Sequence, residues 1–324
     1  MRLGGVEVSN PIWLAPLAGV TTRPFRAFHA ALGAGLVHTE MISATGVSHK
    51  NRKTFRMIQN GGGPRVALQL FGPNAGEMAL AAEMALAVGH FSALEVNMAC
   101  PMPKVTKKCG GAALMSNPAE AALMVKSLKA FGIPVWAKLR ITDRAIHPLP
   151  IGEFCETLIT AGASLLILHG RTPQQRYEGA ADKGAVCEVA ARLPGMIAAS
   201  GDFFAPEDAA FYLSGGCVAV LAARGALKDA YLIPKTLAAL GFPVDERFVA
   251  PSFADQAEAI IKTGREASLL EGAPFALITA RRMLSGMFKG CPGVSSLRQS
   301  CSQCRDWESF EKSLTEWLEN VFPR

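Results

Sequence analysis

The run 95–115, EVNMACPMPKVTKKCGGAALM, gathers reactive side chains at the end of an apolar segment. Asn97 brings an amide, Cys100 a thiol, and Lys104, Lys107 and Lys108 three ammonium groups; Gly110 and Gly111 close the stretch. Pro101 holds the residue before it extended. Cationic surroundings tune a thiol for acid or nucleophile chemistry. The competing reading of Cys100 is a structural thiol in an apolar setting. Further polar groups recur inside or just after apolar runs: Gln69, Glu95, Lys138, Arg140, His169 with Arg171, Ser200-Gly201-Asp202, and Ala223-Arg224-Gly225.

The elements that must carry these groups are short apolar runs alternating with helical segments. Eight runs are read at 12–15, 35–39, 65–71, 93–97, 135–140, 164–169, 196–199 and 217–222. Most are nearly continuous in Val, Ile, Leu and Ala, as in parallel strands covered on both faces. Helix starts lie between them. Asn117-Pro118 with Glu120 reads as a cap, a first-turn proline and an acidic first turn. Pro206-Glu207-Asp208 has the same character, Asn74 with Glu77 resembles a capping box, and Thr22-Arg23-Pro24 opens a helix that Gly33 and Gly35 stop. Eight such units in about 230 residues predict an α/β fold, a (β/α)8 TIM barrel. A doubly wound sheet is the alternative, but the first turn, APLAGVTTR, lacks the GxGxxG of a dinucleotide site.

Barrel chemistry sits at the C-terminal strand ends. Period-two alternation puts Glu95 with Asn97, and Lys138 with Arg140, on common faces. One polar residue in a strand is ordinarily a satisfied structural group. Polar groups at the same end of six successive strands make a polar-lined pocket. SGD and ARGAL, after strands seven and eight, suit backbone N–H capture of a phosphate, with ordinary turn glycines as the equal alternative when taken alone. Together with Lys138 and Gln69 at the same mouth, they point to a phosphorylated planar cofactor such as FMN. A lysine there stabilises negative charge on a reduced ring.

The chain has 324 residues, 50% hydrophobic and 19% charged, enough for a full core and more than one unit. Its most apolar helical run, 78–88, is too short to span a membrane and contains Glu83, and MRLGGVEVSNP has no apolar signal core; a cytoplasmic location is expected. The eight cysteines are scattered and read as reduced thiols. Cys301 and Cys304 form one CxxC without a second ligand pair, so no metal is expected. Residues 245–324 hold ten basic and eleven acidic residues, which leaves a net +7 on the first 244, a bias suited to a polyanion. After Gly241-Phe242-Pro243 only helical segments are read, near 253–270, 273–287 and 306–321. The expected division is a barrel at 1–243 and a small helical domain at 244–324.

With these motifs in place the chain resembles the tRNA-dihydrouridine synthases, flavoenzymes that reduce uridines in tRNA. The matching stretches are APLAGVTTRPFR (15–26), TEMIS (39–43), QLFG (69–72), NMACPMPKV (97–105), GGAALM (110–115), AKLR (137–140), HGRT (169–172), SGD (200–202) and ARGAL (223–227), in family order. The tail resembles the family's helical RNA-binding domain. The resemblance implies FMN as cofactor, NADPH as reductant and tRNA as partner. Pro16, Leu17 and Ala18 would line the flavin, and Gln69, Lys138 and His169 would bind its ring and ribityl region. Ser200, Gly201, Asp202, Ala223 and Arg224 would hold its phosphate. Asn97 would position the uracil, and Cys100 would protonate C5 while reduced FMN gives hydride to C6. Arg140, Arg171, Lys104, Lys107, Lys108, Arg281 and Arg282 are assigned to the substrate, and Lys50, Arg52, Lys53 and Arg56 to further tRNA phosphates. Ser200, Ala99 and Cys109 depart from the family's usual asparagine, glycine and small residue. A flavin oxidoreductase on a free pyrimidine, similar to dihydroorotate dehydrogenase, and a non-catalytic tRNA-binding protein are the competing readings. A monomer, with no membrane or metal partner, is the default.

Overall fold

Continuous Val, Ile, Leu and Ala leave no face for water, so such strands pair side by side beneath helices. The computed structural model describes residues 1–59, 63, 65–142 and 147–321. A short antiparallel pair comes first, β1 (Arg2–Leu3) and β2 (Val6–Glu7). Then follow β3 (Ile12–Leu14), β4 (Val37–His38), β5 (Ile42–Ser43), β6 (Val66–Phe71), β7 (Ala93–Met98), β8 (Val135–Arg140), β9 (Leu165–His169), β10 (Ile197–Ser200) and β11 (Ala219–Ala222). All pairings from β3 onward are parallel, in the order β4-β3-β11-β10-β9-β8-β7-β6, and β4 also pairs with β6, which closes an eight-stranded barrel. The eight strands fall on the eight apolar runs. The sequence did not announce β5, which adds to the far end of β6 through Ile42↔Leu70.

Helices fill the connections: α1 (Arg23–Ala31), α2 (Ala44–Ser48), α3 (Arg52–Gln59), α4 (Ala75–Val88), α5 (Pro103–Thr106), α6 (Pro118–Lys129), α7 (Ile151–Thr160), α8 (Lys183–Arg192), α9 (Pro206–Ser214) and α10 (Arg224–Lys228). Asn74 Oδ1 accepts the Glu77 N–H at 2.9 Å and Asn117 Oδ1 that of Glu120 at 3.2 Å, as the caps predicted. The capping box at Asn74 is only half made, because the Glu77 carboxylate accepts from Thr45 on α2 instead. Thr22 precedes α1 without a side-chain cap bond.

Side-chain alternation divides the core in two. One parity, including Ile12, Leu14, Leu68, Leu70, Leu94, Val96, Leu166 and Leu168, packs outward against helices. The other, including Trp13, Leu36, Ala67, Ala93, Trp136, Leu165, Ala198 and Ala219, fills the barrel. Trp13 and Trp136 stack there, 5.4 Å between centroids, as a floor. Trp136 Nε1 donates to Gly4 O at 2.8 Å, so the β1–β2 turn seals the N-terminal end.

After β11 the described residues are helical: α11 (Leu232–Ala239), α12 (Glu246–Val249), α13 (Phe253–Glu271), α14 (Ala273–Ser285), α15 (Val294–Gln303) and α16 (Trp307–Val321). Of these, α15 escaped the sequence reading, because its serine-rich polar stretch buries only Leu297 and Cys301, four residues apart. Among the described residues no helix is long and apolar enough to cross a membrane.

Candidate active site

The inward parity that begins with tryptophan becomes polar toward the C-terminal ends. On β8 it runs Trp136, Lys138, Arg140, all buried. On β7 it runs Ala93, Glu95, Asn97, and Asn97 lies beside Lys138 in register. Above this column opens a cavity lined by Pro16, Leu17 and Ala18, by Asn97 and Cys100, by Lys138, Arg140 and His169, by Ser200, Gly201 and Asp202, and by Ala223 and Arg224. Thus the ends of five strands and the β3–α1 loop converge, one strand fewer than the six expected, because Gln69 on β6 does not line the cavity.

Lys138 is buried at the cavity floor. Its ammonium donates to Ser200 Oγ at 3.4 Å, its one hydrogen-bond partner among the described residues. Burial pulls it from the ordinary 10.5 down to about 8, Glu95 pulls it back up, and Arg140 adds to the fall. A buried cation without a carboxylate bonded to it is set for an electron-rich ligand. His169 is lowered to about 2, first by burial and then by Lys138, Arg140, Arg171 and Arg224, so the ring is neutral. Its Nδ1 accepts the Arg171 N–H at 3.2 Å, which leaves the proton on Nε2 as a donor.

Asp202 sits at φ 44°, in the left-handed region, beside Gly201 at φ 116°. Burial alone would raise its carboxyl, but Arg171, the Ala181 N–H and Arg224 hold it below the usual range. Arg171 meets both carboxylate oxygens, at 2.9 and 2.7 Å, and Arg224 meets one at 2.9 Å. The carboxylate therefore orients Arg224, which begins α10 with part of its guanidinium exposed. Gly225 is obligatory here, since a Cβ would lie 2.0 Å from Phe203 O.

Cys100 is half-buried at the loop after β7. Burial raises its thiol above the ordinary 9.0; the Met102 N–H, Arg140 and Lys104 oppose this without cancelling it. Burial therefore dominates over the cationic surroundings, and the group keeps its proton at neutral pH. Its backbone is anchored twice. Asn97 Oδ1 accepts the N–H groups of Ala99 at 3.2 Å and Cys100 at 3.0 Å. Arg140 donates to the carbonyls of Ala99 at 2.7 Å, Thr172 at 3.0 Å and Arg176 at 2.8 Å.

Not every predicted residue reaches the cavity. Gln69 is fully buried beneath it, bonded to Glu95 and Asn97. Arg171 is enclosed against Asp202. Lys104, Lys107 and Lys108 are exposed on and after α5, and Cys109 ends that turn at φ 57°, a geometry that suits a smaller residue better. Lys50, Arg52, Lys53 and Arg56 are exposed around the start of α3, and Arg56 donates to Leu270 O at 2.8 Å, at the end of α13. Arg281 clamps the carbonyls of Cys301, Ser302 and Cys304 at the end of α15. Arg282 instead reaches the β3–α1 loop, close to Gly19 and the charge of Glu40. The reading missed Tyr177, exposed at the cavity rim with Arg140 and Arg224 5.6 and 5.3 Å from its ring centroid. It also missed His38, although a histidine inside the apolar run 35–39 is the same signal that singled out Lys138. All eight cysteines are free, and among the described residues no three His, Cys, Asp or Glu side chains cluster to hold a metal.

The dihydrouridine synthase (Dus) family model matches residues 13–322. The chain is 32% identical to the probable tRNA-dihydrouridine synthase 1 of Synechocystis sp., over 94% of this chain and 85% of that one. It is 28% identical to tRNA-dihydrouridine synthase B of Pasteurella multocida, over 94% and 92%. Over 68% of this chain and 69% of the other, it is 35% identical to a probable tRNA-dihydrouridine synthase of Rhizobium leguminosarum bv. phaseoli.

Proposed function

The chain belongs to the dihydrouridine synthase family, and from that premise we propose that it reduces the C5–C6 double bond of uridines in tRNA, with FMN as cofactor and NADPH as the source of electrons. The single observation that carries the reading is one cavity that joins an enclosed lysine, a neutral histidine donor, a carboxylate-oriented arginine and a protonated thiol.

These residues suit a flavin. The backbone around Gly201 and Gly225 admits no larger side chain, and Arg224 and Ser200 stand beside it for a phosphate. Lys138 and the His169 Nε2–H would donate toward the ring, and the apolar side chains of Pro16, Leu17 and Ala18 would line it. A flavin held by these residues would supply hydride chemistry toward uracil C6. Cys100 supplies the proton, from Sγ to C5; a thiol raised by burial holds that proton until it is needed. Asn97, beside Lys138, orients the base. A charge of +7 over the first 244 residues, exposed Lys104, Lys107 and Lys108 and the helices between Glu246 and Val321 suit a tRNA backbone, whose phosphates supply affinity rather than base choice.

The test is incubation of the purified protein with unmodified tRNA and NADPH, followed by quantitation of dihydrouridine. Cys100→Ala should retain a yellow, flavin-bound protein and lose uridine reduction. Full activity in Cys100→Ala would remove the thiol from the role of acid, and turnover of a free pyrimidine without action on tRNA would redirect the substrate.

A further inference from the structure

Beneath the cavity lies a chain of side-chain hydrogen bonds whose direction is forced from both ends. At one end, the N–H groups of Ala99 and Cys100 can only donate, so the Asn97 atom they meet is oxygen and its amide nitrogen points away. That nitrogen donates to Gln69 Oε1 at 2.9 Å, which turns the Gln69 amide nitrogen toward Glu95 Oε1. At the other end, His38 Nδ1 lies 2.8 Å from the carbonyl of Leu14, which can only accept, so Nδ1 carries a proton. The two directions meet where His38 Nε2 faces Glu95 Oε2 at 3.1 Å, with both side chains fully enclosed.

A neutral imidazole with Nδ1 protonated presents a lone pair at Nε2, and an ionised carboxylate presents lone pairs only. Two lone pairs at that distance in a dry interior repel, and among the described residues neither atom has another hydrogen-bond partner. We propose that the gap holds one additional proton, carried on His38 as an imidazolium against the Glu95 carboxylate, and that this buried pair is the fixed end of the relay through Gln69 and Asn97 that positions the Cys100 loop. The carboxylate is the anionic partner because its other oxygen already accepts from Gln69 and the enclosed Lys138 cation is close by. His38 and Glu95 are thus positioning residues: they act on the thiol through three hydrogen-bonded links and do not line the cavity. Trp13 and Trp136, with ring centroids 6.2 and 6.1 Å from His38, exclude water from its ring.

The catalytic part of this inference rests on the reading of Cys100 as the proton donor; the proton itself does not. The relay predicts an asymmetry between two substitutions. In Glu95→Gln the new amide oxygen can still accept from Gln69 while its nitrogen donates to a neutral His38 Nε2, so every link survives with one proton fewer. In Glu95→Leu both links at Glu95 are lost.

The full-length protein is labelled with 15N-histidine, and His38 is assigned by the signals that vanish in His38→Gln. The parent should show both ring nitrogens of His38 protonated, and Glu95→Gln only Nδ1. A parent His38 with a single protonated nitrogen would overturn the proposal, whatever the protein does to tRNA. For the positioning arm, alkylation of Cys100 should quicken about tenfold in Glu95→Leu, the factor of roughly one buried hydrogen bond, and return to within about threefold of the parent in Glu95→Gln. Under saturating tRNA the turnover number should fall in Glu95→Leu while KM for tRNA stays unchanged. Equal alkylation rates in all three proteins would detach the pair from the Cys100 loop. If Glu95→Leu does not fold, the ring-nitrogen signals of the parent and Glu95→Gln still decide the proton. Absence of dihydrouridine with the parent enzyme would count against the assigned reaction and leave the proton result standing.

Discussion

Replacing Lys138 with Met should stabilise the cofactor-free protein while destroying its grip on the flavin. The side chain is buried, and burial, opposed by Glu95 and helped by Arg140, takes its ammonium from 10.5 down to about 8. At 1.36 kcal/mol per pH unit, that fall corresponds to about 3 kcal/mol. The sign follows from proton counts. Between pH 8 and 10.5 the unfolded chain holds this proton and the folded chain has released it, so stability rises with pH across that window. Below pH 8 the lysine is charged in both states, and the unfavourable contribution is felt in full. Methionine keeps the stem and the volume without the charge. Cofactor-free Lys138→Met should therefore exceed the parent by about 3 kcal/mol at pH 7, and the gap should close toward pH 10.5. Urea unfolding of both proteins at pH 7 and pH 10 measures this, and flavin titration measures the opposite effect on binding. Equal stabilities at pH 7, or a gap that persists unchanged at pH 10, would refute the reasoning.

Three further outcomes follow from other contacts. Arg140→Lys should cost about 2–4 kcal/mol and quicken Cys100 alkylation, because one ammonium cannot span the carbonyls of Ala99, Thr172 and Arg176; chemical unfolding and thiol labelling check both. If burial keeps the Cys100 thiol protonated, single-turnover uridine reduction should be half lost only at a pH above 9.0, where an ordinary thiol is half ionised. Gly264→Ala should destabilise the packing of α13 on α16, since the new Cβ would lie 2.1 Å from the Trp307 ring; about 1–3 kcal/mol is expected, read as a lower melting temperature with flavin binding intact.

Much of this was legible before any coordinates. Apolar runs that do not alternate can only be strands covered on both faces, so all eight barrel strands were visible in order. A polar residue inside such a run has nowhere to point but the barrel interior, which is why Asn97, Lys138, Arg140 and His169 could be named together. Caps are local, and Asn74 and Asn117 both cap their helices, although Glu77 turns to Thr45 instead of completing the box at Asn74. The helix α15 was not visible, because its two buried residues mean nothing until α14 and α16 lie against them.

Partnership was what the chain could not declare. Arg281 and Arg282 are neighbours of identical composition, yet one clamps the end of α15 and the other reaches the barrel loop at Gly19. Gln69 reads as a ligand for the cofactor, but the folded interior bonds it between Glu95 and Asn97. The thiol of Cys100 precedes three lysines in sequence, but in space burial outweighs the pull of Lys104 and Arg140. Hydrogen-bond direction is likewise a property of the assembled barrel: only when Leu14, His38, Glu95, Gln69 and Asn97, drawn from four strands, stand in line does a missing proton become countable. Alternation along one strand sets which way a side chain points, because that depends on the pleat alone. What the side chain meets depends on the register and closure of all eight strands.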